Sequence, residues 1–220
     1  EDVAISFGYN KMQPEIPSLA TTGGSNKLED FSDLVRDLMV GLGSQEIMTF
    51  ILTNKNNLFE RMNINLFECC EIANPISSNY TVLRNWLLPS LLEFLTHNRH
   101  VDYPQSIFEV GDVVILDGKE ETKTKTLRKL AFTVTNSKIG YEDVSSLLHN
   151  LMKNLGMNYE IKKIENPTFI EGRVGQIESN GRFFGIVGEI HPKILENWKL
   201  EKPVVAVEIN IEEVFDIVNK

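Results

Sequence analysis

The 220-residue chain is 42% apolar and 24% charged, ordinary for a globular protein large enough to bury a core without disulfide staples. Its net charge of −9 argues against a broad nucleic-acid or anionic-membrane surface, which needs clustered Lys and Arg. No run approaches the roughly 18 apolar residues of a membrane span, and the two cysteines, Cys69 and Cys70, are neighbours that read as buried, inert thiols of a reducing compartment rather than a staple or a zinc site.

The chain opens on Glu1-Asp2-Val3 with no methionine and reads as a piece of a longer protein that starts inside a helix. Gly8 tolerates φ > 0 and suits the end of that helix. Pro14, Pro17 and Gly23-Gly24 predict an extended and then flexible stretch, with a boundary near residues 11 to 27. Phe31, Leu34, Val35, Leu38, Met39 and Leu42 then recur at helical spacing, with Asp30 or Ser32 as the cap and Gly43 as the stop. That stripe packs either on the domain's own sheet or, in the sharper reading, on another subunit.

Glu46–Thr53 has the composition of a strand, Lys55–Met62 of a short helix and Leu66–Ile72 of a second strand. Asn74-Pro75 turns the chain into Thr81-Val82-Leu83. Pro89 is preset for a first helical turn, and Leu91, Leu92 and Leu95 fall on one helix face behind it. Gln105–Leu116 is apolar on both alternating sets: Phe108, Val110, Val114 and Leu116 against Ile107, Val113 and Ile115. This is the signature of a central strand covered above and below. Glu109 and Asp112 interrupt it, and a buried carboxylate needs a donor. Arg84 is the expected partner of Glu109, as a structural ion pair in preference to a substrate contact.

Asp117-Gly118 predicts a tight turn into the strand Leu127–Thr135. Tyr141–Leu155 is the clearest helix and Gly156 stops it; Tyr159–Ile164 is a strand. Asn180-Gly181 predicts a hairpin between Val174–Glu178 and Phe183–Val187. Pro192 opens a helix through Trp198, and Val204–Ile211 alternates, with Glu208 and Asn210 directed outward. Hairpins dominate and no βαβ rhythm appears, so the predicted class is α+β: a mixed, mainly antiparallel sheet flanked by helices.

The segments NPISSNYTVLRNWLLPSLLEFLTHNRH, FEVGDVV and EGRVGQIESNGRFFGIVGEIHPKILENWKL closely resemble, in order, the phenylalanyl-tRNA synthetase β-subunit family of the archaeal/eukaryotic kind. The resemblance implies a class II aminoacyl-tRNA synthetase-like fold over residues 18–220, with 1–17 as the end of the preceding small helical domain and a linker. It implies a cytoplasmic heterotetramer of two α and two β chains that charges tRNA(Phe) with phenylalanine using ATP. Chemistry then sits in α, and this module packs on it as a silent structural partner. The second αβ pair meets at the tetramer centre, and tRNA is contacted mainly through other domains. Phe31, Leu34, Leu38, Leu91 and Leu95 are the candidate interface residues. Glu1 and Asp2 resemble Mg2+ ligands of the preceding domain, a site expected only in the full-length protein, with no cofactor expected here.

The residues test the silent reading independently. A class II site needs cations on the nucleotide phosphates. The late stretch Gly185-Ile-Val-Gly188-Glu189-Ile-His191-Pro192 has no arginine after its glycines, and Gln105–Leu116 carries acids and no arginine, so no catalytic residue is assigned. Gly185 and Gly188 read instead as bulges or close backbone approaches. The alternatives are an adenylate-forming site in its own right and a direct tRNA-binding module. His97 and His100 read as helix-end residues rather than metal ligands, His149 as a surface residue and His191 as ordering a turn.

Overall fold

A computed structural model describes residues 1–18 and 23–219. The expected boundary falls against residues 19–22, which lie outside the described residues. Helix α1, Asp2–Phe7, ends at Gly8 with φ of 97°, and none of its residues is buried. Helix α2, Lys27–Gly41, is capped by Asn26, whose side chain accepts from the Leu28 N–H, not by Asp30 or Ser32. An Asn side chain just ahead of the helix does this job by ordinary Ncap geometry.

Seven strands form one sheet in the order β1-β4-β5-β9-β8-β7-β6. They are β1 Gln45–Glu46, β4 Gln105–Leu116, β5 Thr124–Thr135, β6 Glu160–Lys163, β7 Phe169–Ser179, β8 Arg182–Ile190 and β9 Val204–Asn210. Only β1 runs parallel to its neighbour; the other pairs are antiparallel. A second, two-stranded sheet pairs β2, Leu52–Thr53, with β3, Val82–Leu83. Asn180 and Gly181, both at positive φ, close the β7–β8 hairpin as their dipeptide predicts.

Helices cover both faces of the large sheet. On one face α2, α4 (Tyr141–Asn154) and α6 (Ile211–Val218) pack over Phe108, Phe132, Val207 and Ile177. On the other, α3 (Leu88–His97) and α5 (Pro192–Asn197) cover Ile107, Val113, Ala131 and Ala206. The alternation in β4 is therefore divided between two cores, as its apolar pattern requires. Its place in the sheet is different: β4 is second from an edge, and β9 is the middle strand. Gly185 and Gly188 serve close approach, since a Cβ would come within 2.7 Å of the Glu208 carbonyl and 2.8 Å of the Arg173 carbonyl respectively.

Four sequence expectations need correction. Glu46–Thr53 is not one strand: residues 47–51 leave the sheet between β1 and β2. Leu66–Ile72 makes a single bridge, Glu71 to Val82, and Lys55–Met62 is a five-residue π-helical turn, Asn56–Glu60. The last strand ends at Asn210, whose side chain accepts from the Glu212 and Glu213 N–H groups and starts α6. An Asn after an alternating apolar run was a cap, not an outward strand position.

Candidate functional site

The residues just before α3 tie the layers together. Arg84 Nη2 donates to Glu109 Oε1 at 2.7 Å, with the two side chains 3% and 2% exposed. Arg84 Nη1 donates to Thr49 Oγ1 at 2.7 Å, and Thr49 Oγ1 donates to Glu109 Oε2 at 2.6 Å. Arg84 Nε also reaches the Asp112 carbonyl at 2.9 Å. The planar guanidinium thus spends its fork on one carboxylate, one hydroxyl and one backbone group, which satisfies a pair that would be costly if left open. The same triad explains the interrupted strand: Thr49 is held by side chains where a ladder would otherwise run.

A second ion pair, with its carboxylate buried, stands on the same sheet face. Glu208 Oε1 accepts from Lys129 Nζ at 2.7 Å, and Oε2 accepts from the N–H groups of Leu87 and Leu88 at 2.9 and 3.0 Å. Its burial overturns the outward assignment. A carboxylate on otherwise orphaned N–H groups at a helix start is favourable, and here it docks α3 directly on β9. The leucines that follow, Leu87, Leu88, Leu91, Leu92 and Leu95, are buried against the sheet. Leu91 and Leu95, candidates for a subunit interface, lie inside this chain's own core, as does Phe31. Leu38 is half-buried against the core and Leu34 is 48% exposed.

One face of the sheet is thus covered by α3 and α5. Its charged groups are already paired with one another or with backbone. Glu189 is committed too. It caps α4 by accepting from the Tyr141 N–H at 2.7 Å and pairs with Arg173 at 2.7 Å. His191 caps α5 through Nδ1, which accepts from the Lys193 N–H. On the opposite face Arg128 joins Asp112 to Glu29 of α2. The hydrogen bonds it donates to Glu29 and Asp112 hold the Arg128 guanidinium more firmly protonated, and Arg128 in turn lowers the Glu29 carboxyl below its usual range.

Large apolar side chains gather outside instead. Met48 is 94% and Phe50 74% exposed, with Leu52 and Tyr80 beside them, and the rings of Phe50 and Tyr80 meet edge to face at 5.9 Å. Together with Phe94 they line an open groove of about 1030 Å³ between the small sheet and α3. Sequence reasoning missed this shoulder because it assigned residues 46–53 to one continuous strand. The only signal was three large apolar residues, Met48, Phe50 and Leu52, on one parity.

Glu1 and Asp2 lie exposed at the start of α1. Among the described residues no group of three or more His, Cys, Asp or Glu side chains is placed to hold a metal ion. Two exposed carboxylates fall short of the oxygen shell that a hard divalent cation takes, so these residues do not by themselves fit Mg2+. No helix among the described residues is long and apolar enough to cross a membrane. Cys69 and Cys70 are free and half-buried, not fully buried as expected.

Residues 12–211 match the family model described as the phenylalanyl tRNA synthetase beta chain CLM domain. A phenylalanine–tRNA ligase beta subunit of Pyrococcus abyssi is 51% identical over 215 residues, covering 98% of this chain and 39% of that protein. The beta subunit of Methanocaldococcus jannaschii is 38% identical over 96% of this chain and 39% of its own length. The chain thus spans about two fifths of the curated relatives it matches. Among solved structures, a pyrrolysyl-tRNA synthetase of Desulfitobacterium hafniense superposes on 88% of the chain and 69% of its own, with TM-score 0.73 and 15% identity, a likeness of fold alone.

Proposed function

This chain belongs to the phenylalanyl-tRNA synthetase β chain family, and from that premise we propose that it is a catalytically silent class II module that holds the α subunit of the ligase. The observation that carries this is the division of its surface. One face of the sheet is packed with α3 and its ion pairs are closed, while a contiguous apolar shoulder around Met48, Phe50, Leu52 and Tyr80 faces outward. Exposed apolar groups of this size in one place mark an interaction surface. Leu34, exposed on α2, adds a second contact point, as the helix stripe suggested.

In the whole enzyme, the module sits in a cytoplasmic (αβ)2 assembly that joins phenylalanine to tRNA(Phe) with ATP and Mg2+. The adenylate chemistry belongs to α, and most tRNA contact to other domains. The paired state of Arg84, Arg128 and Lys129 supports this, because a triphosphate needs cations free to turn toward it. Calorimetric titration of the chain with ATP and Mg2+ tests the silent half of the reading: no heat is expected, and clear micromolar binding overturns it. Co-elution with the α subunit on size exclusion tests the docking half, and separate elution at micromolar concentration contradicts it.

A further inference from the structure

Glu93 on α3 breaks a pattern that the rest of the chain keeps. The buried acids Glu109, Glu178, Glu189 and Glu208 each pair with an Arg or Lys, and so do the half-buried Asp112, Glu212 and Glu213. Glu93 is half-buried too, yet it alone among such acids on the described helices and strands joins no ion pair. A carboxylate withdrawn from water without a cation is costly. Its Oε1 accepts from Asn57 Nδ2 at 3.1 Å, and Oε2 accepts no hydrogen bond from the described residues. Asn57 is 6% exposed and is fixed by the bond from its own N–H to Asn54 Oδ1 at 2.9 Å. The amide therefore holds Glu93 in place without neutralising it.

Glu93 opens on the groove beside the apolar shoulder. Ser90, Glu93, Phe94 and His97 fall at i, i+3, i+4 and i+7 on α3, away from the buried Leu91, Leu92 and Leu95, and all four line the groove. Phe50 and Tyr80 line it as well. Arg61 is a further lining residue, but its guanidinium lies 4.7 Å from the centre of the Trp198 ring and forms no ion pair with Glu93. A fixed anionic acceptor, a hydroxyl and aromatic rings thus share one space. A planar guanidinium uses all three, through charge-assisted hydrogen bonds and stacking on rings. Glu109 is satisfied in this way within the chain, by Arg84 with the Thr49 hydroxyl. An ammonium, compact and strongly hydrated, gains less from such a setting.

We propose that the groove receives an arginine of the α subunit, whose guanidinium pairs with Glu93. This deepens the docking reading above and rests on it. The apolar shoulder supplies contact area, and Glu93 supplies selectivity. An acid already stripped of part of its water is satisfied only when a matching cation arrives, so partner segments without one are disfavoured.

The chain co-expressed with the α subunit tests this, with dilution and mass photometry reading the dissociation constant. Glu93→Gln keeps the acceptor for Asn57 and removes the charge; it is expected to weaken the complex by about 10-fold or more, with the melting point of the chain unchanged. Glu60→Gln removes the same charge from an exposed neighbour that does not line the groove, and should leave the constant within about 2-fold. Phenylglyoxal, which modifies guanidinium groups, should spare one α arginine in the complex with the unsubstituted chain and label it in the complex with Glu93→Gln. Equal weakening by Glu60→Gln, or no arginine whose protection depends on Glu93, overturns the proposal. So does a Glu93→Gln complex as tight as the unsubstituted one. In that event Phe50→Asp separates the two readings: if it still weakens the complex, the docking reading stands without the arginine, and if it does not, both fall. Absence of any complex on co-expression also overturns both.

Discussion

Arg84 Nη2 occupies the space that a side chain at Gly111 would need: a Cβ built there lies 2.5 Å from it and 2.8 Å from Glu109 Oε1. The buried ion pair crosses β4 over this glycine, so the strand's one missing side chain is what lets the pair lie flat. Gly111→Ala is expected to destabilise the chain by about 1–3 kcal/mol through overpacking, because neither buried partner can swing into water. Urea unfolding checks this; an unchanged midpoint contradicts it.

The pair itself should behave as an obligate couple. Arg84→Met leaves Glu109 buried without its cation, Glu109→Leu leaves Arg84 buried without its anion, and each is expected to cost about 3–5 kcal/mol. The double variant should recover much of the loss, since both charges then leave the core together. A double-mutant cycle reads the coupling, and additive costs argue against it.

Glu29 carries a pH dependence. Arg128 lowers its carboxyl in the folded state, so the contact stabilises the chain above the unfolded carboxylate value of about 4.3 and is lost as pH falls through the folded value. Glu29 is half exposed, so the effect is small, within about 1 kcal/mol. The stability difference between the unsubstituted chain and Glu29→Gln should be constant from about pH 6 to 8, begin to shrink as pH falls toward the unfolded value of about 4.3, and vanish only below the lower folded value. A difference that grows on acidification contradicts this account of how α2 is tied to the sheet.

Much of this was legible in the residues. The two-sided pattern of β4, the Asn180-Gly181 hairpin, the Pro89 helix start and the Arg84–Glu109 couple all follow from local chemistry. What was not legible depended on distant partners. Glu208 reads as a surface residue because the opposite parity, Val205, Val207, Ile209 and Ile211, is the apolar set; only α3, more than 100 residues earlier in the chain, turns its position inward. Leu91 and Leu95 read as an interface or a core equally well, since both present the same stripe. Met48 and Phe50 have strand composition, and nothing local reveals that Thr49 is pulled from the ladder by Arg84 and Glu109. The short α6 was hidden because Asn210 ends one alternating apolar run and begins another helical one.

The account rests on the outward shoulder as the place where α docks, and Phe50→Asp tests it most directly. Phe50 is largely exposed, so the substitution should shift stability by no more than about 0.5 kcal/mol. Isothermal titration of the chain into the α subunit should show affinity at least about 10-fold weaker than the unsubstituted chain, as expected for a charge buried at a contact core. Equal affinity for both proteins, with melting points also equal, would contradict the assignment of this face to the partner.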